Sequence, residues 1–207
     1  MSIDSLGCSE IVKRLREFER LGREGKTVFD FRPFLDLKIK ATLETELVFC
    51  ISTANSSALA GLRFQKSLER LDLRDLSVRE IEELMRNSGV RFASKKAEYV
   101  KMALEKFYFV ERSLKLNDFE ARRILLGIKG LGMKESSHFL RNIGRKDVAI
   151  LDRHVLRWLN GLGYNFKLPV DYLKAEETLR KIAKIKNLTL AELDLVIWFK
   201  MTGKVLK

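Results

Sequence analysis

Signals for helix formation recur along almost the whole chain, and they constrain its fold more than any other feature of the sequence. Apolar residues repeat with helical spacing, whereas the alternating pattern of strands is almost absent. Ser77 and Thr189 each begin a capping box, with a glutamate three residues later. Proline, which breaks helices, occurs only twice in 207 residues. We therefore predict an all-α fold of about ten helices, with further N-caps at Ser94 and Asn117.

One long apolar segment carries an unusual interruption. Residues 47–64 are apolar enough to form a buried central helix. The polar stretch at residues 52–56 stands near the middle of this segment. Its Asn55, taken alone, indicates a turn or a kink in the helix.

The composition limits the classes of protein to which the chain can belong. Lysine and arginine number 40 against 28 aspartates and glutamates, a formal net charge of +12 that favours a polyanionic partner, nucleic acid first. Cys8 and Cys50 are too few for a disulfide framework or a four-thiolate iron–sulfur cluster, and His138 and His154 complete no zinc-ligand spacing. No apolar run approaches the ~18 residues of a membrane span. We expect a reduced, soluble, intracellular protein.

The most informative stretch is residues 121–157, where two amphipathic segments flank the sequence Lys129-Gly130-Leu131-Gly132-Met133-Lys134. Gly130 and Gly132 allow a tight turn and close approach of a bulky ligand, and free N–H groups at the start of the next helix could bind phosphate. Residues 121–146 hold seven basic side chains against one glutamate, a net charge of +6. The alternative is an ordinary helical hairpin with a solvated basic face, but the charge cluster favours contact with DNA phosphates.

Asp152 follows Lys134 by 18 residues and begins the sequence Asp152-Arg153-His154. A neutral lysine amine can attack C1′ of a nucleotide and form a Schiff base, and a carboxylate can stabilise the positive charge left on the sugar as the base departs. Such chemistry requires the nucleotide to leave the base stack. In the alternative without catalysis, Lys134 only binds phosphate and Asp152 only caps a helix that starts near Arg153.

The two motifs together, G-h-G-x-K at residues 130–134 and D-x-H at residues 152–154, resemble the signature of the helix–hairpin–helix DNA glycosylase superfamily. The lack of any cysteine after Cys50 separates the chain from the members with an iron–sulfur cluster. The chain is too short and too helical for the β-domain of the larger eukaryotic enzymes. From about residue 47 onward it is similar to the short 8-oxoguanine DNA glycosylase/AP lyase family of archaea and thermophilic bacteria. Its single glutamine also resembles thermophile composition.

The resemblance implies a two-lobed, all-α fold with DNA in the cleft between the lobes. One lobe would span residues 40–146, and the second would combine residues 1–39 with residues 147–207. Lys134 and Asp152 would be the catalytic pair of a bifunctional enzyme that removes 8-oxoguanine and cleaves the strand by β-elimination. The resemblance implies no cofactor and no metal, a monomer, double-stranded DNA with oxidised guanine as the partner, and a location with the nucleoid in a prokaryotic cytoplasm.

The resemblance also implies a base pocket and a set of DNA contacts. Lys207 would help to distinguish 8-oxoguanine, whose N7 carries a proton that guanine lacks, and its α-carboxylate and Asp194 are alternative acceptors for that proton. Trp198 would stack on the extruded base, and Phe92 would form the second face of the pocket or contact the base left behind. His138 is interpreted as a packed helix residue. The expected DNA contacts are Asn55, Lys129, Gly130, Gly132 and His154.

Three alternatives remain open at the level of sequence. An enzyme similar to endonuclease III, but without its cluster, would remove other damaged bases. A helix–hairpin–helix module that only binds DNA would need the basic hairpin but not Asp152. A structural nucleoid or repair-scaffold protein would need charge alone.

Overall fold

Helices make up most of residues 5–207, the part of the chain that this computed structural model describes. The predicted helical fold is confirmed, with eleven helices and two strands within those residues. In chain order, these elements are α1 (Ser5–Glu24), β1 (Lys26–Asp30), β2 (Lys38–Thr42), α2 (Leu43–Thr53), α3 (Ala58–Ser67), α4 (Val78–Asn87), α5 (Ala93–Glu105), α6 (Phe107–Ser113), α7 (Asp118–Leu125), α8 (Met133–Asn142), α9 (Arg153–Gly161), α10 (Tyr172–Ile185) and α11 (Leu190–Thr202).

The two strands form a small antiparallel hairpin between α1 and α2, which the sequence did not predict. Phe29 of β1 pairs with Ile39 of β2, and both side chains are fully buried against the core. Lysines occupy the outward positions of β2. Each strand has only five residues, so its alternating pattern is too short to stand out from the helical background.

The apolar segment at residues 47–64 forms two helices rather than one. The hydroxyls of Ser52 and Thr53 donate to the carbonyls of Phe49 and Cys50, at 2.7 and 3.0 Å, in the last turn of α2. Asn55 then takes a left-handed backbone conformation, with φ 51°. The polar stretch therefore ends one helix and turns the chain into the next.

The predicted N-caps are mostly confirmed. Ser77 and Thr189 form complete capping boxes, and the side chain of Asn117 accepts from the N–H groups of the first turn of α7. The prediction at Ser94 is wrong, because α5 already begins at Ala93. The chain reverses at Phe92, whose φ of 59° is left-handed, and this turn replaces a side-chain cap.

The apolar side chains divide into two clusters. The larger cluster takes residues from the β-hairpin, from helices α1 to α8 and from the chain end, and it includes Phe18 of α1 and Leu206. The smaller cluster is built from α9, α10 and the Leu193 side of α11. The lobes at residues 40–146 and at residues 1–39 with 147–207 stay a prediction. Helix α1 belongs to the second lobe in that prediction, but its apolar side chains pack in the larger cluster.

A buried ion pair links the two clusters. Arg122 of α7 donates to both carboxylate oxygens of Glu176 in α10, at 2.5 and 3.0 Å. The Glu176 carboxylate also accepts from the backbone N–H of Ala149, at 2.8 Å. The segment between α8 and α9, which leads to Asp152, is thereby fixed against α10.

Within residues 5–207, no helix combines the length and the apolar character that crossing a membrane would require.

Candidate active site

The glycine-rich turn between α7 and α8 has the predicted form. Gly130 has a φ of +95°, a conformation that side chains disfavour, and a Cβ there would lie 2.9 Å from Cβ of Tyr99. Leu131 is buried, and Gly132 is the extended N-cap of α8, without a side-chain cap. Lys129 is exposed, with its Nζ 5.9 Å from the ring centre of Tyr99. The turn therefore presents the uncapped start of a helix beside an exposed lysine.

The basic character of this region is weaker than the sequence suggests. Five of the seven basic side chains at residues 121–146 form ion pairs with acidic side chains of the protein, which reduces the charge available to DNA. The other two, Arg123 and Lys129, are exposed. The Arg122–Glu176 and Arg141–Asp194 pairs are buried, whereas the side chains of Lys146 and Glu19 are about half exposed. The remaining two pairs are Lys134–Glu135 and Arg145–Asp118.

Five of the predicted site residues come together around one pocket of about 80 Å³. Three separate elements and the chain end supply them. This pocket is smaller than the ~300 Å³ at which ligand sites usually begin, so the side chains around it must move to admit a base. The five residues are Lys134 of α8, Asp152 at the start of α9, Asp194 and Trp198 of α11, and Lys207.

A larger cavity of about 590 Å³ lies between α1, the β-hairpin and the segment after α3. None of the predicted site residues lines it. Size alone therefore does not locate the chemistry, and the convergence of charged groups at the smaller pocket is the better guide.

Asp152 caps a helix and also lies at the pocket, so its two possible roles are compatible with each other. Its Oδ1 accepts from the backbone N–H groups of His154 and Val155, each at 2.9 Å, so the side chain caps α9. The same residue lines the pocket with Lys134. The cap uses one carboxylate oxygen and fixes the orientation of the group, so capping does not compete with a role in the pocket.

Lys134 lies in the first turn of α8, with its side chain 29% exposed and its Nζ 3.3 Å from Oε1 of Glu135. Along the same face of α8 follow His138 and Arg141, which also line the pocket. Sequence reasoning did not place these two residues in the site. The signal was present in their spacing, because residues four and seven positions after Lys134 lie on the same side of a helix.

Burial and neighbouring charges set the protonation of the pocket. Burial, reinforced by Arg141, Lys134 and Lys207, holds the pKa of His138 well below its ordinary value, so its ring is neutral. Burial also raises the pKa of Asp194 to about 6, although Arg141 opposes the shift from 3.1 Å away. His138 packs edge-on against Phe49, with ring centres 5.6 Å apart, so it is packed as interpreted and also lines the pocket.

His154 lies against Trp198, edge to face, with ring centres 4.9 Å apart. Among the described residues, Nε1 of Trp198 and Nδ1 of His154 are buried polar atoms without a hydrogen-bond partner. Because buried donors are nearly always satisfied, the indole N–H of Trp198 is available to a ligand or to water in the pocket.

Asn55 and Phe92 do not line the pocket but stand on two neighbouring turns. Both have left-handed backbones, and the turns are joined by a hydrogen bond of 3.2 Å from the Arg91 N–H to Oγ of Ser56, itself a pocket residue. The Phe92 side chain projects from the surface, 62% exposed. In this structure Phe92 therefore does not form the second face of the base pocket. Contact with the base left behind stays the prediction for this residue.

A lysine after a glycine hairpin, an aspartate across a small pocket and a helical fold together define the class of helix–hairpin–helix DNA glycosylases. The chain belongs to one family of that class, the 8-oxoguanine DNA glycosylases, whose family model matches residues 11–188. It is 48% identical to the 8-oxoguanine DNA glycosylase/AP lyase of Aquifex aeolicus, over 94% of this chain and 92% of the relative. The corresponding protein of Methanocaldococcus jannaschii is 42% identical, over 95% of this chain and 99% of the relative.

Solved structures are similar over almost the whole chain. The crystal structure of the Thermotoga maritima 8-oxoguanine DNA glycosylase matches with a TM-score of 0.83 and 35% identity, over 98% of this chain and 93% of the other. The Methanocaldococcus jannaschii enzyme, in complex with a 15mer DNA containing 8-oxoguanine, matches with a TM-score of 0.81 and 38% identity, over 97% of this chain and 93% of the other.

Proposed function

We propose that this protein is a bifunctional DNA glycosylase and AP lyase, which removes 8-oxoguanine from double-stranded DNA and then cleaves the strand. The observation that carries the proposal is the meeting of Lys134 and Asp152 at one pocket, in a chain that belongs to the 8-oxoguanine DNA glycosylase family. We expect it to act as a monomer on chromosomal DNA in a prokaryotic cytoplasm.

The chemistry begins with the extruded nucleotide in the pocket. The bond between C1′ and the base breaks, the base leaves with the bonding electrons, and the Asp152 carboxylate stabilises the positive charge on the sugar. The neutral amine of Lys134 attacks C1′ and loses a proton, which the departing base accepts. The C1′–O4′ bond then breaks, O4′ takes a proton from water, and the nitrogen lone pair forms the C=N bond of a positively charged Schiff base between C1′ and Nζ.

Strand cleavage follows from the Schiff base. The positive iminium group acidifies the proton on C2′, and loss of that proton is coupled to breakage of the C3′–O3′ bond. The 3′ phosphate leaves, and hydrolysis of the remaining Schiff base returns Lys134 as a free amine. These steps need no group beyond the amine, water and a proton acceptor.

The pocket has groups suited to reading the oxidised base. Asp194 and the main-chain oxygen of Lys207 are acceptors that suit the N7 proton of 8-oxoguanine, whereas N7 of guanine is itself an acceptor. Trp198 offers a ring and a free indole N–H. The remaining expected residues lie outside the pocket, where we expect them to contact the DNA. Phe92 and Asn55 meet the opened duplex, and Lys129, Gly130, Gly132 and His154 contact its backbone.

A panel of single-lesion duplexes tests the proposed substrate. Base release and strand cleavage are measured under single turnover on duplexes with 8-oxoguanine, guanine or an oxidised pyrimidine. We expect rapid release of 8-oxoguanine only. Preference for the oxidised pyrimidine would instead support the alternative similar to endonuclease III, and DNA binding without base release would support a binding module.

A further inference from the structure

The side chain of Lys207 points away from the pocket into the protein core. Its Nζ donates to Oε2 of Glu46, at 2.5 Å, and to Oε1 of Gln65, at 2.6 Å. The side chains of Lys207 and Glu46 are both 0% exposed. A lysine is almost never buried so completely unless its charge is compensated.

The ammonium group belongs to a buried polar cluster, which we call the lysine clamp and which consists of Glu46, Gln65, Asn142 and Lys207. Gln65 donates to Oε2 of Glu46 at 2.9 Å, and Asn142 donates to Oε1 of Glu46 at 2.5 Å. Glu46 lies on α2, Gln65 on α3 and Asn142 on α8, so three helices converge on the chain end. Gln65 is the single glutamine of the whole sequence.

Aromatic rings close the lysine clamp on its other sides. Nζ of Lys207 lies 4.1 Å from the ring centre of Phe29 in the β-hairpin and 4.2 Å from that of Phe49 in α2. Both distances fit cation–π contacts, which are strongest where water is excluded. The β-hairpin, which the sequence did not predict, thus helps to hold the chain end.

Stability alone is a weak reason for such a cluster. Burial lowers the pKa of Lys207 despite the nearby Glu46, which means that the buried charge remains costly. Replacing a buried ion pair by apolar residues of similar volume is often neutral or stabilising. What an ion pair with several oriented hydrogen bonds adds is a defined position for the residue that carries it.

The main chain of the same residue forms part of the pocket wall. Lys207 lines the pocket with Lys134, Asp152 and Trp198. His138 lines the same pocket. Lys207 is therefore held in the core by its ammonium group, while its backbone lies at the pocket.

We propose that Glu46, Gln65 and Asn142 are positioning residues, which hold Lys207 so that its main-chain oxygen can test the N7 position of the extruded base. This inference rests on the proposed function. A main-chain oxygen attracts the N7–H of 8-oxoguanine and repels the lone pair at N7 of guanine. The contrast depends on hydrogen-bond distance and angle, so release of Lys207 removes the preference and leaves the amine chemistry of Lys134 in place.

The variant Glu46→Gln tests the lysine clamp in the full-length protein. It leaves the buried ammonium without its counter-charge. The measured quantity is the ratio of 8-oxoguanine excision to cleavage of a preformed AP site, each under single turnover. We expect this ratio to fall about tenfold or more, as for the loss of a buried charged hydrogen bond, while AP-site cleavage stays within about twofold of wild type. Glu105→Gln, an exposed site on α5, is the matched control.

Two further variants separate positioning from folding. Gln65→Leu keeps the ion pair but removes the acceptor for Lys207 and the donor to Glu46, so we expect a folded protein with a smaller fall of the same ratio. The double variant Glu46→Gln with Lys207→Met removes both charges and places an apolar chain between Phe29 and Phe49. We expect it to recover stability towards wild type while the ratio stays low, because its apolar side chain needs no counter-charge but makes none of the oriented contacts that fix the position of residue 207.

The outcomes of these measurements distinguish a positioning role of the lysine clamp from a merely structural one. Parallel loss of excision and AP-site cleavage in Glu46→Gln and Gln65→Leu would make the cluster merely structural and overturn the inference. An unchanged ratio in folded Gln65→Leu and Glu46→Gln proteins would overturn it as well. If the proposed function itself is wrong, the result is different, because the wild-type protein will not release 8-oxoguanine at all.

Discussion

At the scale of single residues, several side chains both stabilise the fold and line the pocket. Asp152 caps α9 and lines the pocket, and His138 packs on Phe49 and also lines the pocket. A function of such residues is difficult to recognise in a sequence, because the packing or capping role alone explains why the residue is there. Their roles separate only in variants that preserve one function and remove the other.

Asp152→Asn is such a variant. The amide oxygen can still accept from the N–H groups of His154 and Val155, so we expect the melting temperature to stay near that of wild type. The negative charge is lost, and base excision should slow by about 100-fold or more. Single-turnover excision and thermal denaturation are measured together. Normal excision by the folded variant would exclude Asp152 from catalysis.

The pH dependence of base selection tests Asp194. Its folded pKa of about 6 lies above the ordinary value of 3.8, so the carboxylate gains a proton as the pH falls through about 6. A protonated Asp194 no longer carries the charge that pairs with Arg141 at the wall of the pocket. We expect the ratio of 8-oxoguanine excision to AP-site cleavage to fall below pH 6, and Asp194→Asn to remove this acid limb. A ratio that is flat from pH 5 to 7 in wild type would show that the charge of Asp194 does not contribute to base selection.

At the scale of elements, the hairpin of α7 and α8 was the most predictable part of the molecule. Its turn depends on neighbouring residues, so the glycines and the helix start could be recognised locally. The ion pairs of Arg122, Arg141 and Arg145 could not, because their partners lie on distant segments. For the same reason, no local pattern predicted the lysine clamp, in which Lys207 contacts Glu46, 161 positions earlier in the chain.

Gly130→Ala measures what the turn requires. The substitution forces an alanine into a backbone with φ +95° and places its Cβ against Tyr99, so we expect a loss of about 1–3 kcal/mol in the free energy of unfolding. Gly89→Ala is the matched control, because its φ is +80° and nothing lies within 4 Å of the added atom. The excess of the first loss over the second reports the contact with Tyr99. Equal losses would leave only the backbone conformation as the reason for glycine.

At the scale of the whole molecule, the pocket depends on segments that are far apart in the sequence. It combines α8, the start of α9, α11 and the chain end, and the Arg122–Glu176 pair holds the connecting segment in place. The helical class could be predicted because capping and periodicity are local. The β-hairpin and the assignment of α1 to the larger apolar cluster could not, since both are decided by packing between distant residues.

Glu176→Gln tests this tie between the two apolar clusters. It leaves the buried Arg122 without a full counter-charge, and we expect unfolding to become easier by about 3–5 kcal/mol. Its neighbour Glu177 has a side chain 52% exposed, so Glu177→Gln should change the stability by less than about 0.5 kcal/mol. Chemical denaturation of the three proteins makes the comparison. Similar small effects of both variants would show that the buried pair contributes no more than a surface one.

The central claim is that Lys134 acts as an amine nucleophile in this pocket. Borohydride reduction traps a Schiff base as a stable covalent adduct, so wild-type protein is incubated with borohydride and a duplex holding one 8-oxoguanine. Lys134→Gln is compared with Lys181→Gln, an exposed lysine of α10. We predict an adduct with wild type and Lys181→Gln, and none with Lys134→Gln although it still binds the duplex. An adduct of normal yield with Lys134→Gln, or no adduct with active wild-type protein, would contradict the account.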